Sequence, residues 1–162
     1  MKKKDVGKVL LGGLIVAMLL VSVPALAATE YQTKDSLLAQ AKEVIQEITV
    51  EEAFSNYFEP SKAGVVFLDI RAADEVEEGH VPGATWLDRA FLEFKIESMF
   101  PERDAQMLVV YCRSGGRSAL GAETLVEMGY NAVSMGGGFL AWQDKHYPVR
   151  RGVISASGGG CG

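Results

Sequence analysis

The order of apolar and polar positions along the chain predicts short strands that alternate with helices. Four short runs, mostly apolar or β-branched, are bounded by polar or turn residues: 65–70, 85–87, 107–111 and 132–135. The first is apolar almost throughout, which is typical of a central strand buried on both faces. Because these runs are too far apart for tight hairpins, we expect parallel pairing. The predicted fold class is α/β, a single domain with a mostly parallel sheet of about five short strands flanked by helices.

Helical spacing of apolar positions fills the intervals between these strands. Helices are predicted over 33–48, from 50 to before Pro60, over 91–100 and 119–128, and from 139 to near Tyr147-Pro148. The charged stretch 71–78 is predicted to form a short helical turn at the end of a strand. The second begins with the capping box Thr49-Val50-Glu51-Glu52. The first carries its apolar residues on one face. We expect that face to pack on the domain, and docking of a partner is the alternative.

The first 27 residues have the three parts of a secretory signal peptide. Four lysines precede an apolar run, and Pro24-Ala25-Leu26-Ala27 supplies a helix breaker and a small-residue cleavage site. We therefore expect cleavage after Ala27 and a periplasmic or otherwise exported protein. An uncleaved anchor is the alternative, since residues 9–28 reach the roughly 20 residues needed to span a bilayer. The remaining chain divides into an N-terminal amphipathic helix (28–48), a domain (49–150) and a flexible Gly-rich tail (151–162).

Charge limits the classes of partner. The whole chain has a net charge of −5, and loss of the leader leaves 12 basic and 20 acidic side chains, a net charge of −8. This argues against nucleic acid and against an anionic membrane surface as partners. With the leader removed, no stable membrane insertion is expected. No Cys/His cluster has metal-ligand spacing, so no metal site is expected.

The main candidate for chemistry is the loop Cys112-Arg113-Ser114-Gly115-Gly116-Arg117-Ser118, which links the run 107–111 to the following helix. A helix N-terminus leaves backbone N–H groups without partners and carries partial positive charge. The glycine pair lets the loop curl so that several N–H groups point inward. With two arginines nearby, these features favour a nucleophilic thiolate. A small buried cysteine at a strand end is the alternative.

Three further residues carry open alternatives. Asp69 and Arg71 lie at the end of the strand run 65–70, and ligands of open parallel sheets bind beyond the carboxyl ends of the strands. Asp69 either pairs with a loop arginine or caps the backbone at the strand end. Arg71 either binds substrate or pairs with the acidic run 74–78. Cys161 in the Gly-rich tail is a solvated residue, a structural disulfide partner, or a thiol that swings to Cys112.

Several separated motifs resemble those of one family, the rhodanese homology domain, and in particular its exported single-domain members. Asp69-Ile70-Arg71 resembles the family's D-x-R strand end, and Gly79-His80-Val81-Pro82-Gly83-Ala84 is similar to its G-H-I-P-G-A turn. The loop 112–118 is similar to its C-R-S-G-x-R-S active loop. The resemblance covers roughly 49–150. One departure is His146, where the family usually has a glycine two residues before a proline.

The resemblance implies a thiosulfate sulfurtransferase that needs no metal or organic cofactor. Cys112 would take sulfane sulfur from a small anionic donor and hold it as a persulfide, which a thiol, cyanide or a protein acceptor then removes. The amides of 113–118 would bind that persulfide, and Arg113 and Arg117 would bind the donor. Related cysteine phosphatases use a loop one residue longer than the four residues between Cys112 and Arg117. The alternative function is a sulfane-sulfur carrier that delivers sulfur to a protein partner with little turnover of free thiosulfate.

Overall fold

Five short strands, found among the described residues, form a parallel sheet in the order β1-β5-β4-β2-β3. The computed structural model describes residues 31–58 and 63–152, and from Gln32 onward these form one compact unit. The strands are β1 (Gln46–Ile48), β2 (Val65–Asp69), β3 (Thr85–Trp86), β4 (Met107–Tyr111) and β5 (Ala132–Met135). Every neighbouring pair in the sheet is parallel. The predicted α/β fold class is confirmed.

Helices cover both faces of this sheet. They are α1 (Lys34–Val44), α2 (Val50–Glu52, continued by a π-helical turn Ala53–Tyr57), α3 (Ala73–Glu77), α4 (Leu92–Met99), α5 (Gly116–Glu127) and α6 (Gly138–Asp144). Side chains from α1, α4 and α5 share one apolar cluster with alternate residues of the central strands. Side chains from α2 and α6 share the other. The central strands β2 and β4 are therefore buried between two apolar layers, as their continuous apolar runs predict.

The helix predicted over 33–48 is too long, and this prediction is wrong for its last residues. Helix α1 ends at Val44, Ile45 takes an extended conformation (φ −99°, ψ 159°), and Gln46–Ile48 pair with β5 as an edge strand. Ile45 and Ile48 are buried on opposite faces of the sheet. Apolar spacing alone could not separate these two outcomes, because both isoleucines also fall on the apolar face of a continued helix.

At position 146 the backbone explains why the family usually has glycine there. His146 is exposed and has φ 57°, in the left-handed region. Its N–H donates to the Gln143 carbonyl, and the Tyr147 N–H donates to the Trp142 carbonyl. This is a Schellman motif that ends α6, and the ring contact between Trp142 and Tyr147 accompanies it.

Other expectations fall where the structure gives no description. The signal peptide, its cleavage point, Cys161 and most of the tail lie outside the described residues. In the described ranges 31–58 and 63–152, no helix combines the length and hydropathy needed to cross a membrane.

Candidate active site

The loop 112–118 lies at the carboxyl edge of the sheet, directly after the central strand β4. Cys112 is fully buried, and Arg113 and Ser114 beside it are exposed. Asp69 ends the neighbouring strand β2, in register with Tyr111. The structure therefore places the predicted loop and the predicted strand-end residues at one edge, as parallel strand pairing requires.

A backbone amide of the loop is directed at the cysteine sulfur. The Gly115 N–H donates to Cys112 Sγ, with a nitrogen-to-sulfur distance of 3.2 Å. Gly115 has φ 100° and is the N-cap of α5, so the left-handed residue turns the chain from the loop into the helix. The Ser118 hydroxyl, itself buried, donates to the Gly115 carbonyl at 2.9 Å and fixes this turn from inside the helix.

Helix α6 holds the outer side of the loop. The Phe139 N–H donates to the Cys112 carbonyl at 2.8 Å, and the Leu140 N–H donates to the Arg113 carbonyl at 3.0 Å. Because C=O and N–H point in opposite directions in a trans peptide, the next two amides of the loop are turned away from α6. A Cβ on Gly138 would lie 2.5 Å from the Cys112 carbonyl oxygen, so this approach requires glycine. The Gly-rich run 136–138 therefore lets α6 approach the loop closely, so that the hydrogen bonds from α6 fix the orientation of the loop.

Arg117 forms a bidentate ion pair with Glu75 of α3. Its two terminal nitrogens each donate to a different Glu75 carboxylate oxygen at 2.8 Å. The hydrogen bonds that Arg117 donates to Glu75 are the main reason that the pKa of Arg117 is raised. The same hydrogen bonds are the main reason that the pKa of Glu75 is lowered. Arg117 therefore joins the start of α5 to a carboxylate on α3.

Asp69 and Arg71 form a buried ion pair with each other. Arg71 donates from Nη2 to Asp69 Oδ2 at 2.6 Å and from Nε to Oδ1 at 2.9 Å, and both side chains are almost fully buried. Burial alone would lower the pKa of Arg71, but hydrogen bonding and charge from Asp69 outweigh it, and the pKa is raised. Asp69 pairs with Arg71 and not with a loop arginine, and it also caps the backbone at the strand end by accepting the Arg71 N–H at 3.1 Å. The ion pair of Arg71 is with Asp69 and not with a carboxylate of the acidic run 74–78.

The Arg71 guanidinium also organises the segment that carries Glu75. It donates to the backbone carbonyls of Glu75 and Gly79, and it lies over the Phe139 ring with its carbon 4.2 Å from the centroid. Burial raises the pKa of Tyr111 well above its usual value, and the charge of Asp69 raises it further. Arg71 thus bridges β2, α3 and α6 beneath the loop.

Two clefts adjoin the loop. One, of about 340 Å³, is lined by Arg71, Glu75, Arg113 and residues of α6. The other, of about 560 Å³, lies between the loop and α1, where Lys34, Leu38 and Lys42 face residues 114–117. The predicted site residues Ser114, Gly116 and Arg117 line this second cleft. His80 is buried with its Nδ1 3.1 Å from the Val76 carbonyl, in agreement with a structural role in its turn.

Sequence reasoning missed Glu75, Phe139 and the wall formed by α1. Glu75 was treated as one member of an acidic run, although its position three residues after Ala72 gives it the N3 place in a capping arrangement. That place fixes a side chain close to the strand end, and this could have identified it. Phe139 and α1 reach the site through tertiary packing, and no local pattern marks them.

Comparison with known proteins agrees with this geometry. The profile of the Rhodanese-like domain family matches residues 55–145, more than half of the chain. The chain therefore belongs to the rhodanese-like domain family. Residues 34–48, which form α1 and β1, lie before the matched segment.

Several relatives are named sulfurtransferases. A sulfurtransferase of Allochromatium vinosum is 33% identical over 86 residues, which is 52% of this chain and 78% of the relative. The thiosulfate sulfurtransferase GlpE of Pseudoalteromonas translucida is 38% identical over 84 residues, 51% of this chain and 76% of the relative. Family and relatives together support sulfur transfer at a general level.

Solved structures share the fold. A Rhodopseudomonas palustris protein of unknown function, described as a possible tyrosine phosphatase, matches with a TM-score of 0.69 and 31% identity, over 76% of this chain and 98% of that one. A rhodanese-related protein of Thermoplasma volcanium matches with a TM-score of 0.57 and 28% identity, over 65% of this chain and 97% of that one.

Proposed function

We propose that the protein is a sulfurtransferase that moves sulfane sulfur from thiosulfate or a related donor to a thiophilic acceptor through a persulfide on Cys112. The observation that carries this proposal is the N–H of Gly115 directed at Cys112 Sγ at the start of α5. A sulfur atom in that position gains from amide donors and from the positive end of the helix dipole. A terminal persulfide sulfur would be stabilised by amides in the same manner as an oxyanion.

In the first half-reaction, Sγ attacks the outer sulfur of the donor. A bond forms between the two sulfurs, the bond from the outer sulfur to the rest of the donor breaks, and its electron pair leaves with sulfite. In the second half-reaction, a thiol or cyanide attacks the terminal sulfur and the electron pair returns to Sγ. No oxidant or reductant is needed, because the sulfane sulfur moves from one nucleophile to another.

Replacement of the cysteine tests this proposal. We expect the protein to convert thiosulfate and cyanide to thiocyanate, and Cys112→Ala to abolish the reaction. The chain has two cysteines, so Cys161→Ser is the matched control and should retain cyanide-dependent turnover. Intact mass after exposure to thiosulfate should rise by about 32 Da, one sulfur atom, only when Cys112 is present. A Cys112→Ala variant with full activity would end the proposal.

A sulfane-sulfur carrier is the second candidate, favoured by the cleft between α1 and the loop, which leaves room beside the loop for an acceptor larger than cyanide. Both candidates require the added sulfur on Cys112, and steady-state turnover with free thiosulfate separates them. Slow turnover together with rapid stoichiometric loading would favour the carrier. If Cys161→Ser leaves transfer to thiols unchanged, Cys161 does not relay the sulfur.

Export is part of the proposal and is supported by the sequence of residues 1–27 alone. The protein isolated from its host should have the intact mass of a chain that begins at Ala28. A mass that includes Met1 would favour the uncleaved anchor.

A further inference from the structure

The guanidinium of Arg117, at the end of the loop that begins with Cys112, is already bound to a carboxylate. Both terminal nitrogens of Arg117 donate to Glu75, and the pair is only partly exposed, with 42% of the Arg117 side chain and 20% of the Glu75 side chain accessible. A bidentate carboxylate satisfies the planar fork that would otherwise bind two oxygens of an anionic donor. The positive charge of Arg117 is therefore largely neutralised before an anionic sulfur donor binds.

Glu75 is held in this position by contacts other than Arg117. The Ala72 N–H donates to its Oε2 at 3.2 Å, and Arg71 donates to its backbone carbonyl at 3.0 Å. Because Arg71 is in turn fixed by Asp69, the carboxylate is anchored to the end of β2. Glu75 does not need Arg117 to remain at the site, so its charge is a built feature of the cleft.

The three arginines at the loop and at the end of β2 differ in whether a carboxylate already neutralises their charge. Arg71 is paired with Asp69 and Arg117 with Glu75, whereas Arg113, within the described residues, has no ion-pair partner. Arg113 lines the cleft that Glu75 also lines. Glu78 and Arg151, which carry opposite charges, also line that cleft. Of the three arginines at the loop and the end of β2, Arg113 is therefore the one whose charge is available to a donor, besides the partial charge of the helix.

We propose that Glu75 is a positioning residue that holds and neutralises Arg117, so that the site selects sulfane donors with a single negative charge, such as thiosulfonates and organic persulfides, over the dianion thiosulfate. This inference rests on the proposed function. Both donor classes deliver the same sulfur to Sγ. A thiosulfonate releases a sulfinate, which has one negative charge, whereas thiosulfate releases sulfite, which has two. The additional negative charge of sulfite is the one that a neutralised Arg117 stabilises poorly.

The test compares two donors in the wild-type protein and in Glu75→Gln. Thiosulfate and benzenethiosulfonate are used with cyanide at one ionic strength, and kcat/KM is measured for each. Because the donors differ in intrinsic reactivity, the readout is the change in the ratio of their kcat/KM values. Removal of the Glu75 charge should raise the thiosulfate-to-thiosulfonate ratio about fivefold, the size expected for one partly exposed ion pair. A purely structural role for Glu75 would lower both values and leave the ratio unchanged.

Glu77→Gln is the matched control, since it removes the same charge from an exposed position on the same helix, α3. It should change the ratio by less than twofold. Glu75→Ala removes the charge without an amide in its place and should shift the ratio in the same direction as Glu75→Gln, so the outcome does not depend on the folding of one variant. An unchanged or reversed ratio in the Glu75 variants, with both donors still adding sulfur to Cys112, overturns this inference alone. If neither donor adds sulfur to Cys112 in the wild-type protein, the proposed function fails with it.

Discussion

Replacing Asp69 by Asn should destabilise the protein strongly, because it leaves the Arg71 guanidinium buried without its counter-charge. Asp69 is fully buried and Arg71 is 3% exposed. The carboxylate accepts the Arg71 backbone N–H and three donations from the guanidinium. An asparagine has one acceptor oxygen, and its NH₂ group would face the Arg71 donors.

The expected loss is about 3–5 kcal/mol in the free energy of unfolding, the range for breaking a buried ion pair by removing one partner. That is a large part of the roughly 5–15 kcal/mol that holds a domain folded. The assay is urea unfolding at pH 7, followed by the intrinsic fluorescence of Trp86 and Trp142, of which Trp142 is fully buried. Asp74→Asn on the exposed side of α3 is the control and should change stability by less than about 0.5 kcal/mol.

A double variant separates a missing charge from a missing contact. Asp69→Asn together with Arg71→Met removes both charges, and it should be less destabilised than Asp69→Asn alone because no unpaired charge remains. A loss below about 1 kcal/mol for Asp69→Asn would refute the argument, as that size fits a hydrogen bond open to solvent.

Three other outcomes are expected. His146→Gly should raise the free energy of unfolding by about 0.5–1 kcal/mol in urea titrations, because it relieves a left-handed residue at the end of α6; a loss of stability would contradict this. Gly138→Ala should lower the free energy of unfolding by several kcal/mol and expose Cys112 to alkylating reagents, because the new Cβ would clash with the loop carbonyls. Gly83, which has φ 79° and open space around it, is the control, and Gly83→Ala should lower it by only about 1 kcal/mol. Equal losses in the two variants would show that the clash is not the cause. The pKa of Glu75 is lowered, so its ion pair stabilises the fold fully above the ordinary value of 4.5, and the contribution is lost as pH falls through the lowered pKa. Wild type should exceed Glu75→Gln in stability by up to about 1 kcal/mol at pH 7, and the difference should shrink as pH falls below 4.5. A difference that does not change with pH would contradict this.

The sheet could be predicted from sequence because its central strands are buried on both faces. Continuous apolar runs at 65–68 and 107–111 admit few other structures, and the capping box at Thr49 fixes the start of α2. The short strand β1 could not be predicted, because its three residues continue the apolar spacing of α1. Its pairing with β5 is decided by a partner 85 or more residues further along the chain.

The part of the candidate site that lies within one loop could be predicted from the sequence. The part that tertiary packing brings together could not. The cysteine, the glycines and the two loop arginines stand together in the sequence. Neither the pairing of Arg117 with Glu75 nor that of Asp69 with Arg71 follows from spacing, since several carboxylates lie within reach of each arginine in sequence. Only the tertiary structure selects among them.

The hydrogen bonds from α6 to the carbonyls of Cys112 and Arg113 couple the shape of the loop to a helix that is synthesised after it. A ribosome-bound fragment that ends after β5 would contain the cysteine, the glycines and the arginines and still lack the donors that orient them. During translation, the loop should therefore lack this constraint until Leu140 has left the exit tunnel. The loop would take its final shape only when one short helix docks against it.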